Sequence, residues 1–305
     1  MLVHGIAVSD PHWAQGIIPG IEREVERALA ALPGGPHPGS AADVVAIESV
    51  YWKDVVAPAQ QQLFEILRAS RPPVRWKGGI WNVLKRLLTG AARTAEQAFV
   101  TQAIADITSY LDGDTKRLIH QKVQDAIDRL AGRVGATSGK APLTIVAHSL
   151  GTVISSDYVW DELARRRAKQ QPGFHDRLVF ANFFTVGSPL ALFSLRHGGA
   201  EAFRKPIQVE HPDGRWLNIR DKDDPVGMPL KTLNADYGRA VHQDIEVDAG
   251  HYLAAHMAYF SRPAVLRLIG RKLALDWLAF NQKLPTAQLQ SLLADYDRES
   301  GGQDT

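Results

Sequence analysis

The feature that most constrains this chain is an apolar run that turns directly into a helix at residues 147–151. Residues 143–147, Leu-Thr-Ile-Val-Ala, have the composition of a strand buried on both faces, and a helical pattern begins at Leu150 without a loop. A turn this tight strains the backbone of Ser149 and requires small residues two positions to either side, as Ala147 and Gly151 are. The turn would lift the Ser149 hydroxyl above a sheet edge and direct a helix N-terminus at it.

Short apolar runs of this kind alternate with helical patterns along the chain. The pattern favours an α/β fold, with a mostly parallel central sheet of about six strands, helices on both faces and a helical insertion or lid. The predicted strands are 2–4, 44–51, 143–147, 178–186, 216–220 and 242–247. Helices are predicted at 21–32 and from a cap at Ser261 and Pro263 to about Phe280.

The interval between residues 57 and 139 is too long for a simple crossover. Two amphipathic patterns within it, on either side of Asp112-Gly113-Asp114, predict a pair of helices joined by a turn. We therefore expect one domain over residues 1–305, with a helical insertion at about 70–135 that could act as a lid. The polar end of the chain predicts a disordered tail at about 295–305.

Composition excludes several classes of chemistry. The 305 residues include no cysteine, which removes disulfides, thiolate nucleophiles and cysteine-ligated metals. The net charge of +2 gives no reason to expect nucleic acid. There is no GxGxxG after the first strand, no GxxxxGK[ST] and no HExxH, so we expect neither a cofactor nor a metal. Without an apolar membrane-length run or a signal-peptide pattern, the expected location is cytoplasmic.

The motif Ala-His-Ser-Leu-Gly after a buried strand resembles the nucleophile elbow of the α/β-hydrolase family, particularly its lipase-like and esterase-like members. The resemblance implies an α/β-hydrolase fold, acyl transfer through Ser149 and no cofactor. Ala147 departs from the family pattern, in which glycine is more usual at that position. Alanine is still small enough for the turn.

A serine nucleophile needs a histidine base, and the histidine needs a carboxylate to fix its tautomer. Three aspartates follow the strand at 216–220, where such a sheet collects its active site: Asp221, Asp223 and Asp224. Asp224 resembles the Asp-Pro-Val acid of lipase-like relatives and is the preferred candidate. Asp221 and Asp223 stay as alternatives, with a solvated acidic turn as their structural interpretation.

Two histidines in the region after the last predicted strand compete for the role of base. His256 lies in a His-x-x-Tyr-aromatic sequence that resembles the pattern closing several lipase-like triads, and it is preferred. His251 follows Gly250, and this Gly-His resembles another branch of the family. Both are expected in the loop before the helix at Ser261.

The oxyanion of an acyl transfer needs hydrogen-bond donors already in place. The backbone N–H of Leu150, directly after the nucleophile, should be one. The sequence from Val3 to Ile6 resembles the His-Gly turn of lipases, which makes the Ile6 N–H the second and leaves His4 as a structural residue. Residues 186–190 should shape the pocket floor, and Ser188 is an improbable nucleophile because Pro189 follows it.

A basic segment containing tryptophan at about 70–95 has no acidic residue before Glu96 and could be a lid that contacts lipid or a membrane surface. The structural alternative is a helix that packs its apolar side on the domain. Three functions stay open: hydrolysis of a small-molecule or lipid carboxylic ester, acyl transfer or amide or thioester cleavage by the same serine, and non-catalytic binding of a partner.

Overall fold

The computed structural model confirms the α/β fold. It describes residues 1–6, 8–32, 38–69, 95–134, 139–203 and 206–301. Six parallel strands form one sheet in the order β2-β1-β3-β4-β5-β6. The strands are β1 Leu2–Val3, β2 Ser49–Val50, β3 Ala141–His148, β4 Leu178–Val186, β5 Arg215–Arg220 and β6 Gln243–Glu246.

Helices connect and flank these strands. They are α1 Ile18–Ala30, α2 Lys53–Ala69, α3 Ala95–Leu111, α4 Gly113–Arg133, α5 Leu150–Ala168, α6 Leu190–Phe193, α7 Ala235–Ala240, α8 Leu253–Ala258, α9 Pro263–Phe280 and α10 Thr286–Gly301. Short 3-10 turns occupy Ala41–Asp43, Ser194–His197 and Tyr259–Ser261.

The chain divides into two compact units. The first contains Met1–Gly5, His12–Val50 and Val123–Thr305, and it includes the whole sheet. The second contains Ile6–Pro11 and Tyr51–Lys122. The helical insertion expected at about 70–135 overlaps the second unit along the sequence and stays a prediction.

Within the first unit, both faces of the sheet are covered. Side chains from alternate strand positions, such as Val146, Phe184 and Leu217, join α1, α9 and α10 in one core cluster. Ile145 and Phe183 precede Val146 and Phe184, so their side chains point to the opposite face of the sheet. They are also fully buried. Helix α5 packs against β1 and β3. Helix α5 connects β3 to β4, and β4 and β1 lie on opposite sides of β3. A right-handed crossover therefore places α5 on the face of the sheet opposite α1.

Within the second unit, a buried ion pair joins α2 to α3. Asp106 is fully buried and accepts hydrogen bonds from Lys53 Nζ and, at 3.0 Å, from Gln60 Nε2. A buried charge of this kind is tolerated because partners satisfy it. Asp54 on α2 also receives Lys122 Nζ from α4 at 2.6 Å.

Three expectations from the sequence are wrong in detail. The run at 44–51 is a strand only at Ser49–Val50, which pairs with Leu2–Val3, and residues 44–48 lie outside the strand. The tail is not disordered at 295–301, since α10 continues to Gly301 and buries Tyr296, whose hydroxyl donates to the Leu268 carbonyl at 3.1 Å. The helix at 263 has Arg262 rather than Ser261 at its N-cap.

The proposed lid segment at about 70–95 lies, except for Ala95, outside the described residues, as do residues 302–305 at the end of the predicted tail. Among the helices of the described ranges, none is long and apolar enough to cross a membrane.

Candidate active site

The turn between β3 and α5 holds Ser149 in the strained conformation that the sequence predicts. Its φ of 52° and ψ of −128° lie in a region that L-residues rarely adopt. The Ser149 N–H donates to the Val186 carbonyl of the neighbouring strand at 2.9 Å. This bond anchors the turn at the carboxyl end of the sheet, where parallel α/β sheets collect their ligands.

Two glycines allow the backbone to close around this turn. A Cβ atom on Gly151 would lie 2.5 Å from the His4 carbonyl oxygen, so strand β1 and helix α5 could not approach as they do. A Cβ atom on Gly5 would lie 2.5 Å from the Ser149 Cβ. The requirement for a small residue two positions after the serine therefore comes from β1, and Gly5 packs directly on the serine itself.

A continuous hydrogen-bonded array joins Ser149, His256 and Asp224. The His256 Nε2 lies 2.8 Å from Ser149 Oγ, and its Nδ1 lies 2.9 Å and 3.1 Å from the two Asp224 carboxylate oxygens. All three residues are buried. The structure thus brings together the three residues that the sequence analysis preferred, although they are separated by up to 107 positions in the chain.

His256 does not lie in a loop as expected. It is on the short helix α8, which begins directly after Tyr252, a residue with φ of 55° and ψ of −134°. The His256 N–H and the Ala255 N–H are both directed at the Tyr252 carbonyl, at 3.4 Å and 3.0 Å. The first helical turn therefore fixes the backbone that carries the imidazole.

The Asp224 carboxylate is held by three donors, which make four contacts with it. Besides the two contacts with His256 Nδ1, its Oδ1 accepts from the Val226 N–H at 2.8 Å and its Oδ2 accepts from the Tyr259 hydroxyl at 2.8 Å. Burial raises the pKa of Asp224, but hydrogen bonding and charge interaction with His256, with help from Val226 and Tyr259, outweigh it and lower the pKa below its usual value. The carboxylate is therefore ionised at neutral pH.

Tyr259 connects the carboxylate to the start of the same loop. Its hydroxyl donates to Asp224 and accepts the Asp221 N–H at 2.8 Å, so both ends of the acidic segment meet at one oxygen. Burial, and secondarily the Asp224 charge, raise the pKa of Tyr259. The phenol stays protonated and remains a donor. In the sequence, Tyr259 stands out only as part of the His-x-x-Tyr-aromatic pattern, which indicates no contact for its hydroxyl.

Gly187 lies against the same group of side chains, at a φ of 54°. A Cβ atom there would lie 2.8 Å from Tyr259 Cε2, 3.0 Å from Asp224 Oδ2 and 3.2 Å from His256 Nδ1. The segment expected to shape a pocket floor therefore contains a residue that backs the Asp224–His256 pair.

The other two aspartates have different partners. Asp221 is buried, and its carboxylate accepts the N–H groups of Asp223, Ala249 and Gly250. It thereby fixes the loop after β6 to the loop after β5. It does not contact a histidine ring in this arrangement.

Asp223 pairs with the alternative histidine, His251. The distance between Asp223 Oδ2 and His251 Nδ1 is 3.1 Å, and the His251 side chain is 94% exposed. A pair this exposed is screened by solvent. The structure places His256, and not His251, beside Ser149.

His148 is a residue of the site that the sequence analysis did not identify. It is the last residue of β3, its Nε2 donates to the His256 carbonyl at 2.7 Å, and its ring centroid lies 4.8 Å from that of His256. Burial, followed by repulsion from His256, lowers the pKa of His148 to about 3. It is therefore a neutral donor that positions the His256 backbone. The only signal in the sequence is its place next to the serine.

His4 and Ser188 have structural surroundings, as expected. His4 Nδ1 donates to the Gly5 carbonyl at 2.7 Å, and its ring packs edge-on against Trp13. Ser188 is buried, lies 2.8 Å from the Thr152 hydroxyl and accepts the Leu190 N–H at 3.2 Å.

The two predicted oxyanion donors belong to different units. Leu150 is the first residue of α5, so its N–H has no acceptor within the helix and points from a helix N-terminus. Ile6 belongs to the second unit, and its role stays a prediction. Among the described residues, no group of three or more histidine, aspartate or glutamate side chains could hold a metal ion.

Comparison with known proteins gives no further identification. A scan against models of protein families finds no match to this chain, and a search of curated proteins finds no significant match.

Proposed function

We propose that this protein is a serine hydrolase that cleaves a carboxylic ester through an acyl-enzyme intermediate. The observation that carries the proposal is the array of Ser149, His256 and Asp224, with 2.8 Å between Ser149 Oγ and His256 Nε2. A serine hydroxyl is a weak nucleophile unless a base within hydrogen-bond reach removes its proton. A strained serine at a helix N-terminus, a buried imidazole and an ionised carboxylate together support this role.

In the first half of the reaction, Ser149 Oγ attacks the ester carbonyl carbon while His256 Nε2 takes the hydroxyl proton. The charged imidazole that results is stabilised by Asp224, which already accepts from Nδ1 and so fixes the required tautomer. Negative charge develops on the carbonyl oxygen, where the Leu150 N–H is the proposed first donor and the Ile6 N–H the second. The tetrahedral intermediate then collapses as His256 protonates the leaving alkoxide, which departs as an alcohol.

In the second half, water replaces the alcohol. His256 removes a proton from that water, its hydroxide adds to the acyl-enzyme carbonyl, and the carboxylic acid leaves as His256 returns the proton to Ser149 Oγ. No cofactor takes part in this sequence. Acyl transfer to an alcohol differs only in the second nucleophile, and amide or thioester cleavage only in the leaving group, so the pocket decides among them.

Ser149 is 2% exposed and His256 is fully buried. We therefore expect ester binding to involve a local rearrangement, as it does in many enzymes. A probe experiment must therefore allow for a closed state.

The test is covalent labelling by a fluorescent fluorophosphonate, with and without a non-ionic detergent. We expect wild-type protein to be labelled at Ser149 and the Ser149→Ala variant to remain unlabelled. Ser188→Ala is the matched control, because Ser188 is also buried and lies just after the end of the neighbouring strand β4. This variant should be labelled like wild type. Circular dichroism establishes that each variant is folded.

Hydrolysis of p-nitrophenyl esters then distinguishes a serine hydrolase from a non-catalytic binding protein. Ser149→Ala and His256→Gln should each lower kcat by about 10⁴-fold or more, by analogy with other serine–histidine pairs. A folded wild-type protein that is unlabelled in both conditions and inactive on every ester would overturn the proposal and favour the non-catalytic binding function.

A further inference from the structure

A groove of about 450 Å³ lies between α1, α9 and α10, and its lining contains no residue of the Ser149 array. This volume is within the range of small-molecule binding sites, about 300–1,000 Å³. Its apolar lining includes Ala31, Leu32, Leu275, Leu278 and Leu292.

The groove also has a basic lining. Arg27 comes from α1, and Arg267 and Arg271 come from α9. Among the described residues of the lining, Glu24 is the one acidic residue. Glu24 is paired with Arg27 at 2.5 Å, and Arg271 is paired with Glu299. Within the part of the chain that the structure describes, the Arg267 guanidinium has no acceptor. One cation therefore remains available to a ligand.

The basic and apolar residues lie at opposite ends of the groove. A Cβ on Gly20 would touch Leu266, and one on Gly270 would touch Glu24, so α1 and α9 run in the same direction with residue 20 beside 266 and residue 24 beside 270. In this register, positions 24–27 and 267–271 form one end. Positions 28–32 and 274–278 form the other. The first end is cationic and the second is made of alanine and leucine side chains.

We propose that this groove binds the anion of a single-chain fatty acid, with its carboxylate at the Arg267 end and its chain along Leu275 and Leu278. The eight steps from position 24 to position 32 span about 12 Å at the rise of an α-helix. An extended chain that advances about 1.2 Å per bond would fill this length with roughly ten bonds. The inference does not depend on hydrolysis at Ser149, because none of its residues belongs to that site.

The charge pattern favours this ligand over two simpler ones. Acetate has the headgroup without the chain and cannot use the apolar end, where burial of methylene groups supplies most of the free energy, about 0.8 kcal/mol each. A dodecyltrimethylammonium ion has the chain but places a cation beside Arg267, which has no acceptor among the described residues. Both should bind far more weakly than dodecanoate.

The experiment is isothermal titration calorimetry of the full chain with dodecanoate below its critical micelle concentration. We expect one site per chain. Arg267→Gln should weaken binding about five- to tenfold, as expected for the loss of one charge-assisted hydrogen bond at a partly solvated site. Arg23→Gln is its control, since Arg23 is exposed on α1 and does not line the groove.

The apolar end is tested separately. Ala31→Phe should fill the groove and weaken dodecanoate binding at least tenfold, whereas Ala30→Phe, on an exposed neighbouring position outside the lining, should leave it unchanged. Absence of dodecanoate binding to wild type overturns the inference. So does binding that Arg267→Gln and Ala31→Phe leave unchanged, because the fatty acid would then occupy another site, such as that of Ser149.

Discussion

Replacing Gly187 by alanine tests the packing behind the site with the smallest change that the chain allows. The new methyl group would lie 2.8 Å from Tyr259 Cε2, a distance that requires a displacement, and 3.0 Å from Asp224 Oδ2, which is tighter than most Cβ contacts. Neither neighbour can retreat freely. Tyr259 is fully buried, and its hydroxyl joins Asp224 to the Asp221 N–H.

Two contributions set the size of the effect. Gly187 has a φ of 54°, and placing a Cβ in this left-handed region costs about 1–2 kcal/mol. Forcing a methyl group into a packed interior costs a further 1–3 kcal/mol, approximately. We therefore expect Gly187→Ala to lower the free energy of unfolding by about 2–5 kcal/mol.

The same displacement should reduce turnover more than stability alone explains. Because the methyl group lies 3.2 Å from His256 Nδ1, it moves the imidazole relative to Ser149. A misplacement approaching 1 Å costs about 10²-fold in rate. Urea titration followed by tryptophan fluorescence measures the stability, and p-nitrophenyl ester hydrolysis of the folded fraction measures kcat.

The control is Gly132→Ala, at a helical glycine where an added Cβ meets nothing within 4 Å. This variant should be as stable as wild type or more stable by up to about 1 kcal/mol, with unchanged kcat. A Gly187→Ala protein with wild-type stability would refute the packing argument. One that is destabilised but keeps full kcat would refute the claim that the methyl group displaces the His256 imidazole.

Three further outcomes are expected. Tyr259→Phe removes a hydrogen-bond donor to Asp224 and should lower the free energy of unfolding by about 2–4 kcal/mol. It should also move the acidic limb of the pH profile of kcat/KM to higher pH, and an unchanged acidic limb would contradict a positioning role for Tyr259. His148, with a folded pKa near 3 against 6.5 when unfolded, should make stability fall as pH drops below 6.5, by about 2 kcal/mol at pH 5, because the unfolded chain binds the extra proton. Urea titrations at several pH values measure this dependence: as pH drops, the free energy of unfolding should fall more steeply for wild type than for His148→Gln. Equal pH dependence in the two proteins would contradict the prediction. His251→Ala should leave ester hydrolysis within about twofold of wild type, since that exposed side chain is paired only with Asp223, and a large loss would make His251 the base.

Local patterns in the sequence were sufficient to predict the sheet and the serine. Strands buried on both faces have continuous apolar sequences, so β3, β4 and β5 were located within a few residues. Strand β2 was overestimated, because a run of valine and isoleucine has the same composition whether or not it finds a pairing partner. The prediction of a disordered tail was wrong at residues 295–301 for a related reason. The polar residues there indicate disorder, but they face solvent from α10, while Leu293 and Tyr296 on the other side of this helix are buried.

The choice among neighbouring polar residues required the tertiary structure. Asp221, Asp223 and Asp224 lie within four consecutive positions, yet their contacts differ. Asp221 joins two loops, Asp223 pairs with an exposed histidine and Asp224 contacts His256. Nothing in their spacing distinguishes these roles; resemblance alone favoured Asp224. The contact is decided by the direction in which each side chain leaves the loop.

The sequence by itself determined the position of the strained strand-to-helix turn at Ser149, because an apolar strand runs directly into a helix there and a small residue stands two positions to either side. Tertiary structure decided the roles of His148, Gly187 and Tyr259, whose contacts with Asp224 and His256 join segments that are far apart in the chain. A hydrogen bond across many residues depends on how strands are ordered and how loops pack. Those are collective properties of the fold, and no local pattern encodes them.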